Sequence, residues 1–472
     1  MKRIAIIGGG ISGLSAAFFL EQQRRAGAPL EYVLFEASPR LGGVIRTERV
    51  DGCVVEGGPD SFLTEKPWAA ELCRQLGIED QLIGSNDAQR KTYILVNGKL
   101  IPIPDGLAFM VPTKILPVAF SPLFSAGTKL QMAREWFHPR RSVKEDESVG
   151  SFVERHYGRQ MVDRLADPLL SGVYGGEADQ LSLHAVLPRF AEMQAQHGSL
   201  SKAVIENRKK ARTIAEESPR SLFTSLKGGM QQLVDAILVL VPEAFLRPNT
   251  SVQSLHIEDD KWLVGSNANA NAEGEAFDSV IIAIPACAAA KLLDANPSKL
   301  ADELRHIRYS SSVTVFLGYD QSVRQQLPAG FGFLVPRSEG RRILAATFVH
   351  NKFPNRAPED RAILRCFLGG TRDELVEDLS DPEIVKIVQR EICEILGIAA
   401  EPLFTRAYKW KNAMAQYNVG HLERIERIKS LIHQSPRLFL AGNAYGGIGI
   451  PDCVRSGQEA ARDALTALGL AK

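Results

Sequence analysis

The first forty-three residues constrain this chain most, because a glycine-rich turn stands directly between a strand pattern and a helix pattern. Residues 2–7 contain the apolar run Ile-Ala-Ile-Ile, which is typical of a strand buried on both faces. The turn at residues 8–13 is followed by a helical pattern at 14–23 and a second strand pattern at 32–35. Glu36 ends this second strand. The order predicts the βαβ unit that binds a dinucleotide, with the pyrophosphate at the helix N-terminus.

The turn satisfies the G-x-G-x-x-G pattern, in which each glycine has a separate steric role. Gly8 allows the tight turn, Gly10 lets the backbone approach a pyrophosphate, and Gly13 lets the helix close on the strand. Glycines near a strand end are often only turn residues, but here strands, helix and terminal acid stand in the required order. That acid is placed to accept hydrogen bonds from ribose hydroxyls. The predicted dinucleotide contacts in this unit are Gly8, Gly10, Ile11, Ser12, Gly13 and Glu36.

A second glycine turn, Arg40-Leu41-Gly42-Gly43, lies just beyond Glu36. An acid followed by an R-x-G-G turn resembles the extended fingerprint of FAD enzymes that carry two dinucleotide-binding motifs. That family includes amine oxidases, phytoene desaturases and protoporphyrinogen oxidases. The resemblance implies that the cofactor is FAD rather than NAD, and that Arg40, Gly42 and Gly43 are among its contacts.

The composition argues against several classes of function. The 56 basic and 55 acidic side chains leave no net field that would attract nucleic acid. The six cysteines form no C-x-x-C pair, so we expect a reduced, cytoplasmic protein rather than a disulfide framework. The nucleotide strand already occupies the amino terminus, which argues against a signal peptide, and no apolar run is long enough to span a bilayer.

Residues 56–59, Glu-Gly-Gly-Pro, are a further stretch of adjacent glycines in a turn-rich segment. By itself such a stretch is ordinary loop sequence. In the FAD family that the amino terminus resembles, this place lies against the flavin, where a pocket wall needs close backbone approach. The resemblance therefore implies that Gly57, Gly58, Pro59 and Asp60 contact the cofactor.

Residues 106–127 are apolar, but three prolines exclude one continuous helix. The segment is either a wall of the substrate domain or a surface that rests peripherally on the inner face of the cell membrane. If it faces outward, its apolar patch consists of Leu107, Phe109, Met110, Phe120 and Phe124.

The flanking segments have clear local patterns. Asn97-Gly98 between two apolar strand patterns predicts a β-hairpin over residues 92–103, because both turn residues need positive φ. Residues 148–215 have a helical pattern, in which Ser182 is placed to cap a helix that runs through Glu192.

Later segments return to the nucleotide domain and then build a β-rich domain. The turn at residues 227–230 with its following helix, the segment at Val252, and a strand at 277–284 form the predicted second contribution to nucleotide binding. The β-rich domain is predicted from strand patterns at 310–319, 343–348 and 364–368, with one helix at 383–396.

The chain returns to the cofactor at its end. A strand at residues 437–440 leads into a glycine-rich turn, and Pro451 then begins the final helix. The positive N-terminal end of that helix would face the flavin pyrimidine ring and stabilise the anionic reduced flavin. The predicted cofactor contacts here are Gly442, Asn443, Gly449 and Ile450.

Six further motifs resemble the protoporphyrinogen oxidases and the related bacterial coproporphyrinogen III oxidases. They extend over essentially the whole chain, well beyond the nucleotide fingerprint. These motifs are Gly58-Pro59-Asp60-Ser61-Phe62, Leu170-Ser171-Gly172-Val173-Tyr174-Gly175-Gly176, Gln180-Leu181-Ser182, Gly330-Phe331-Gly332-Phe333-Leu334-Val335, Gln416-Tyr417-Asn418-Val419-Gly420-His421 and Gly449-Ile450-Pro451-Asp452-Cys453.

The resemblance implies oxidation of a porphyrinogen to a porphyrin by successive hydride transfers to the flavin. Oxygen would reoxidise the flavin and yield hydrogen peroxide. Gly172 would lie at the substrate ring, and Phe331, Leu334 and Phe367 would form apolar walls, although each is also a plausible core residue. No catalytic side chain and no metal site is predicted, and the substrate's pyrrole nitrogens can replace a protein base.

The chain departs from the family before the first hairpin strand. Family members that act on protoporphyrinogen often have an arginine there to pair with a propionate, whereas this chain has Thr92, preceded by Arg90 and Lys91. The two cations can still pair with a carboxylate, although such residues are usually a solvated turn. We therefore expect coproporphyrinogen III as the preferred substrate, with activity on protoporphyrinogen IX retained.

Two alternatives remain at this point. A flavin amine oxidase commonly has a lysine on the strand that corresponds to residues 310–319, and this strand has Thr314 in its place. The carboxy-terminal turn also lacks the Ser-Gly-Gly-Cys attachment site, so FAD is expected to bind noncovalently. A flavin-dependent scaffold without turnover is the non-enzymatic alternative.

The predicted fold is α/β, with a discontinuous Rossmann-like FAD-binding domain, a β-rich substrate domain and a helical subdomain. The FAD-binding domain would comprise residues 1–88, 216–294 and 425–472, the substrate domain a hairpin at 89–104 and residues 295–424, and the helical subdomain residues 105–215.

Overall fold

A computed structural model gives the fold of most of the chain. Residues 215, 216 and 295, where the sequence predicts the end of the helical region and the starts of two domains, lie outside the described part. The structure describes residues 1–141, 145–214, 221–269, 274–294 and 298–470.

The strands of the described residues form two large sheets and several small ones. In chain order they are β1 (Lys2–Ile7), β2 (Leu30–Phe35), β3 (Thr47–Val50), β4 (Cys53–Glu56), β5 (Phe62–Leu63), β6 (Leu82–Gly84), β7 (Thr92–Val96), β8 (Lys99–Pro102), β9 (Leu107–Ala108), β10 (Val111–Pro112), β11 (Phe223–Leu226), β12 (Leu246–Arg247), β13 (Val252–Glu258), β14 (Lys261–Ser266), β15 (Glu275–Phe277), β16 (Ser279–Ile282), β17 (Tyr309–Asp320), β18 (Gly332–Leu334), β19 (Ala345–Phe348), β20 (Arg361–Gly369), β21 (Phe404–Ala415) and β22 (Leu438–Leu440).

The α-helices lie around these sheets and in a separate group. In chain order they are α1 (Ile11–Arg25), α2 (Trp68–Gln75), α3 (Ile115–Phe120), α4 (Ala126–Arg134), α5 (Val149–Tyr157), α6 (Arg159–Met161), α7 (Asp167–Tyr174), α8 (Leu183–Val186), α9 (Pro188–His197), α10 (Leu200–Ile214), α11 (Gln231–Leu240), α12 (Ala286–Leu292), α13 (Lys299–Arg305), α14 (Gln321–Gln326), α15 (Val349–Lys352), α16 (Asp381–Leu396), α17 (His421–Ile432) and α18 (Ile450–Ala467).

A parallel five-stranded sheet of order β12-β2-β1-β16-β22 forms the first unit. Ile6 of β1 pairs with Leu34 on one side and with Ile281 on the other, and all three are fully buried. One face packs against α1, α11 and α18, and the other against α12, α13 and α17. Helices on both faces of a parallel sheet explain its apolar strands and confirm the predicted α/β class.

Helices α1 and α18 cross at a glycine in front of this sheet. A Cβ atom added to Gly457 of α18 would lie 2.0 Å from the backbone oxygen of Ser12 in α1. Only glycine fits at this contact, which brings the last helix against the first turn of the nucleotide-type unit.

A seven-stranded sheet of order β21-β17-β20-β19-β18-β7-β8 forms the second unit. Its pairs are antiparallel except for β18 with β7. The predicted hairpin is confirmed, because Asn97 and Gly98 have φ of 49° and 73° between β7 and β8. Helix α16 covers one face through a buried apolar cluster, and the nucleotide-side loops lie on the other.

The remaining helices pack around Phe152, Val153, Tyr157 and Leu165, which are fully buried. Two sequence-based bounds were wrong. The helix predicted from Ser182 through Glu192 is two helices, because α8 ends at Val186 and Pro188 begins α9. The strand predicted at 277–284 is also divided, since Phe277 ends β15 and β16 begins at Ser279.

The crossing of α1 and α18 predicts a strong effect of one methyl group. Gly457→Ala should lower the free energy of unfolding by roughly 1–3 kcal/mol, because the new Cβ meets backbone that cannot rotate away. Gly127→Ala in α4 is the matched control, since its Cβ would meet only a serine hydroxyl at 3.9 Å. That change should stabilise the helix by about 0.5–1 kcal/mol. Equal unfolding midpoints for the two variants in chemical denaturation would contradict this packing account.

Candidate functional site

The phosphate-type turn lies at the carboxyl edge of the parallel sheet, where β1 meets α1. Gly8 has φ of 110°, and a Cβ at Gly13 would lie 1.9 Å from the Gly8 oxygen. A Cβ at Gly10, in contrast, would meet nothing within 4 Å. Ile11 and Ser12 begin α1, so their backbone N–H groups belong to the free first turn of the helix. Backbone therefore fills the space at Gly13, whereas the space at Gly10 is open, as an anion-binding turn requires.

Glu36 and the R-x-G-G turn stand beside this anion-binding turn. Glu36 accepts hydrogen bonds from the backbone N–H of Gly9 at 2.7 Å and of Ser38 at 2.8 Å. Gly42 donates its N–H to the Gly9 oxygen at 2.8 Å, which joins the two turns. Arg40 folds back and donates to the carbonyls of its own loop, including Ile45 at 2.8 Å. Arg40 thus shapes the loop, with Gly43 packed beside the first turn.

The second predicted contribution reaches the same edge. The backbone N–H of Thr250 donates to the backbone carbonyl oxygen of Glu36 at 2.8 Å, and β13 begins two residues later at Val252. Val252 therefore lies close to the end of β2, on the side expected for the adenosine half of a dinucleotide.

The Gly57–Asp60 loop connects this edge to the seven-stranded sheet. Gly57 accepts a hydrogen bond from Trp410 Nε1 at 2.7 Å, and Gly58 accepts one from the Arg365 guanidinium. A Cβ at Gly58 would lie 1.7 Å from the Val44 oxygen, so only glycine fits there. Pro59 follows directly, and the loop is held against the sheet face opposite to α16.

A cluster of largely buried charges surrounds this loop. Asp60 lies 2.9 Å from Lys352 Nζ and 3.4 Å from Arg365 Nη1, while Glu56 lies 3.2 Å from Arg356 Nη2. Although burial raises it, the cations Lys352 and Arg365 hold the pKa of Asp60 well below its ordinary value. Sequence reasoning missed these three cations, and only a basic residue inside an apolar strand pattern, as at Arg365, could have indicated one.

The carboxy-terminal turn completes the edge. Gly442 has φ of 134° with no neighbour within 4 Å of an added Cβ, and Asn443 donates from its amide to the Ala413 oxygen at 2.8 Å. The Tyr417 hydroxyl donates to the Asn443 oxygen at 2.7 Å and accepts from Gly447 N–H at 2.8 Å. Gly449 caps α18, so Ile450 begins a helix whose positive end faces this turn.

Predicted substrate-wall residues share one row of the seven-stranded sheet. Leu334 of β18 pairs with Ala345, Ala345 pairs with Phe367, and Phe367 pairs with Thr314. Directly opposed residues project from the same face, so Leu334 and Phe367 face the same side and remain partly exposed. Helix α7 packs against β18 and carries Gly172, where an added Cβ would meet nothing within 4 Å.

The other predicted substrate residues lie at the end of this row. Phe331 is 8% exposed and donates its N–H to the Lys91 oxygen at 2.7 Å. Arg90 and Lys91 are exposed, and the Lys91 ammonium lies 5.5 Å from the centroid of the Tyr93 ring. The structure therefore places Leu334 and Phe367 in one sheet row and Gly172 on the helix that packs against β18, and it leaves the two cations at the surface.

His421 lies beside Tyr417, whose hydroxyl binds the carboxy-terminal turn. His421 stacks on Tyr417 with ring centroids 4.0 Å apart, and burial lowers its pKa to about 4. It is therefore neutral at physiological pH and packs as an aromatic ring. Among the described residues, no cluster of three or more histidine, cysteine or acidic side chains could hold a metal ion.

These features fit a bound dinucleotide with a redox ring. Two open glycine positions and two helix N-termini face one edge, and Arg365 Nε and the Tyr445 hydroxyl are buried polar atoms without a partner in the described part of the chain. Together they define a flavin-dependent oxidoreductase whose cofactor edge faces the apolar row of a substrate sheet. The chain belongs to the flavin-containing amine oxidoreductase family and, within it, to the porphyrinogen oxidases. The sequence model described as flavin containing amine oxidoreductase matches residues 11–465.

Full-length relatives support the second part of this assignment. The chain is 36% identical to a coproporphyrinogen III oxidase of Bacillus subtilis, over 99% of this chain and 98% of that protein. It is 31% identical to a coproporphyrinogen III oxidase of Staphylococcus aureus, over 99% and 100%. A mitochondrial protoporphyrinogen oxidase of Nicotiana tabacum is 31% identical, over 98% and 94%.

Solved structures give the same picture of the fold. A crystal structure from an Exiguobacterium species superposes with a TM-score of 0.88 at 30% identity, covering 99% of both chains. A cyclohexylamine oxidase of Brevibacterium oxydans superposes with a TM-score of 0.67 at 17% identity, covering 99% of both chains. The second likeness is one of fold alone.

The charge cluster predicts unequal effects of two aspartate substitutions. Asp60→Asn should lower the free energy of unfolding by about 3 kcal/mol, because it leaves Lys352 and Arg365 without their carboxylate. The folded-state pKa is depressed, so this contribution is present above the unfolded pKa of about 4 and is lost as the pH falls below it. The control is Asp51→Asn, whose pair with Arg361 is exposed and should contribute less than about 1 kcal/mol. Urea unfolding at pH 7 and at about pH 2.5 measures both; equal losses for the two substitutions at pH 7 would contradict the account.

Proposed function

We propose that this protein oxidises a porphyrinogen to a porphyrin in haem biosynthesis. The observation that carries the proposal is the full-length relation to proteins named coproporphyrinogen III oxidase, at 36% identity. The apolar row of Leu334 and Phe367, with open space at Gly172, is consistent with a flat, largely apolar ring. The row also has Thr314 where an amine oxidase would carry a lysine, which favours a porphyrinogen over an amine.

FAD is the proposed cofactor, held noncovalently. Gly8, Gly10, Gly13 and the start of α1 would bind its pyrophosphate, and Glu36 its ribose. Further contacts would come from Arg40, Gly42, Gly43, Gly57, Gly58, Pro59, Asp60, Val252, Gly442, Asn443, Gly449 and Ile450. When bound, the flavin accepts hydride from substrate and passes the electrons to molecular oxygen, which leaves as hydrogen peroxide.

Noncovalent binding is favoured by the state of the cysteine that follows the carboxy-terminal turn in the sequence. Cys453 lies in the first turn of α18 and is 7% exposed. Burial raises the pKa of Cys453 to about 12, so the thiolate that an attachment reaction needs is not formed at neutral pH.

The role of the protein in the chemistry is positional. Leu334 and Phe367 would hold the macrocycle by apolar contact, and the bare helix surface at Gly172 would let the ring approach. Burial lowers the pKa of His421 to about 4, which makes it a weak base, and we assign the proton balance to the pyrrole nitrogens of the substrate.

Release of the cofactor tests the mode of binding. Denaturing the purified yellow protein should leave free FAD in the supernatant, with no flavin fluorescence on the precipitated chain. Flavin that stays with the chain through denaturing gel electrophoresis would contradict the proposal.

We favour coproporphyrinogen III as the preferred substrate, with protoporphyrinogen IX also accepted. Coproporphyrinogen has four propionates and protoporphyrinogen two, so the first gains more from the exposed cations Arg90 and Lys91. The family arginine is absent at Thr92, which pairs with Gly332 in the next sheet row.

Turnover measurements test both the activity and the choice of substrate. We expect kcat/KM to be roughly 10- to 100-fold higher for coproporphyrinogen III than for protoporphyrinogen IX, and Arg90→Ala or Lys91→Ala should reduce this ratio.

Gly172→Val should keep FAD but reduce turnover sharply, because its side chain enters the open space. Oxidation of primary amines at a comparable rate, or no oxygen consumption with either porphyrinogen, would favour the amine oxidase or the scaffold alternative.

We infer that the helical subdomain rests peripherally on an anionic membrane. Among the described residues, no helix is both long and apolar enough to cross a bilayer. The patch predicted from sequence was partly wrong, because Met110 and Phe124 are buried in the core while Phe109 and Phe120 are exposed. The exposed large apolar side chains between residues 105 and 141, which we take as the membrane-facing patch, are Phe109, Ile115, Leu116, Phe120, Leu130, Trp136 and Phe137.

Charge favours lipid as the occupant of this patch. Residues 105–141 carry five lysines and arginines but only Asp105 and Glu135 as acids, and Glu135 is buried. Basic residues around exposed aromatic side chains are typical of a surface that binds anionic headgroups. The proposed location is the cytoplasm, with reversible contact to the inner face of the cell membrane.

Vesicle sedimentation tests the membrane contact. The protein should bind vesicles that contain phosphatidylglycerol, and the double variant Phe120→Ser/Phe137→Ser should bind at least tenfold more weakly, because two side chains over 80% exposed lose their apolar burial. Val239→Ser changes an equally exposed residue on α11 and should have no effect. Absence of wild-type binding, or a change of oligomeric mass in the double variant, would refute the lipid proposal.

A further inference from the structure

Arg365 is a buried cation in the middle of an otherwise apolar strand. It lies on β20 and is 5% exposed. Alternation along the strand places it on the same side as Phe367, whereas Cys366 between them belongs to the core under α16. The side chain therefore projects from the substrate-facing side of the sheet.

The guanidinium connects two parts of the site. On one side it donates to the Gly58 oxygen and lies 3.4 Å from Asp60. On the other, its central carbon lies 4.7 Å from the centroid of the Phe367 ring, within cation–π range. The Phe367 ring is partly exposed, so the cation supports a wall whose remaining surface is free.

The charges around Arg365 do not cancel. Lys352 and Arg356 are the other cations of the cluster, and Glu56 and Asp60 are its carboxylates. The three cations outnumber the two carboxylates, and burial raises the pKa of Glu56, so the cluster is positive in total and lies away from bulk solvent. A buried excess charge acts over a longer range than a surface charge, because water screens it less.

Arg365 also keeps one donor free. Its Nε has no hydrogen-bond partner in the described part of the chain, although Nη1 and Nη2 face Asp60 and Gly58. The two terminal nitrogens of Arg365 thus contact the loop, and the flat face of its guanidinium packs on the Phe367 ring. Neither contact is needed to form the seven-stranded sheet, where an apolar residue would fit this strand.

We propose that Arg365 is a positioning residue that couples the flavin-side loop to the substrate wall. It fixes the Gly58 carbonyl, holds the Phe367 ring so that its free surface is available to the macrocycle, and supplies positive charge that favours reduced over oxidised flavin. The inference rests on the proposed function, since it assigns the loop to the flavin and Phe367 to the porphyrinogen.

Two substitutions separate the charge from the geometry. Arg365→Met removes the cation at similar volume, and Arg365→Lys keeps the charge but loses the planar fork and the stack. Arg361→Met is the matched control, because Arg361 lies four residues earlier on the same strand in an exposed pair with Asp51. Each variant is purified with FAD bound, and the flavin reduction potential is measured by anaerobic titration, followed by kcat and KM for coproporphyrinogen III.

We expect Arg365→Met to weaken the preference for reduced flavin about tenfold, which for a two-electron couple is a fall of about 30 mV. Arg365→Lys should restore the potential but raise KM roughly tenfold, because lysine cannot hold Phe367 in the same way. Arg361→Met should match the wild type in both measurements. A restored potential with a raised KM would be the signature of a positioning role.

Three results would overturn the inference. The first is an Arg365→Met variant with the same flavin potential and KM as Arg361→Met. The second is an Arg365→Lys variant whose flavin potential stays as low as that of Arg365→Met. The third is an Arg365→Lys variant whose KM equals that of the wild type. If Arg365→Met fails to retain FAD, Arg365→Lys alone decides through its potential and KM. The potential needs no porphyrinogen, so an unaltered potential in Arg365→Met refutes this role independently of whether the proposed substrate is correct.

Discussion

A carboxylate buried between two cations joins the two halves of this protein. Asp60 belongs to the loop that leaves the nucleotide side of the chain, whereas its partner Lys352 follows 292 residues later in the substrate-side unit. A charge withdrawn from water needs partners, so this loop is stable only against the seven-stranded sheet. The contact sets the distance between the carboxyl edge of the parallel sheet and the apolar row of Leu334 and Phe367. This charge contact therefore ties the cofactor edge to the seven-stranded sheet.

Much of the local structure could be predicted from sequence, because it depends on neighbouring residues. The turn at Gly8, the hairpin at Asn97 and the α/β class follow from local sterics and periodicity. Periodicity does not say which side of an apolar segment faces solvent, so the sequence left Met110 open between a buried wall and an outward patch, and the structure buries it. The cations around Asp60 were missed for a different reason. Arg356 and Arg365 acquire their role only when distant strands pair, and one sequence contains no signal of that pairing.

In this family the fold and the class of substrate depend on different parts of the structure. An amine oxidase at 17% identity retains the whole fold, since the nucleotide unit and sheet order are set by backbone geometry. The proposed substrate face consists of side chains in one sheet row, where Thr314 is paired with Phe367. On that proposal, a change of side chains in the row would alter the substrate contacts and leave the backbone of the nucleotide unit in place.

Neighbouring strands of the parallel sheet lie far apart in the sequence, and this has a consequence for synthesis on the ribosome. Strand β16 is covered on its outer side only by β22, which is translated far later. At about 5–20 residues per second, roughly 10–30 s pass between the two strands. During that time β16 is a bare edge, and Ser12 lacks the helix that carries Gly457. The nascent chain, rather than the finished protein, is consequently the form most exposed to aggregation, and the cofactor can be enclosed only once translation is nearly complete.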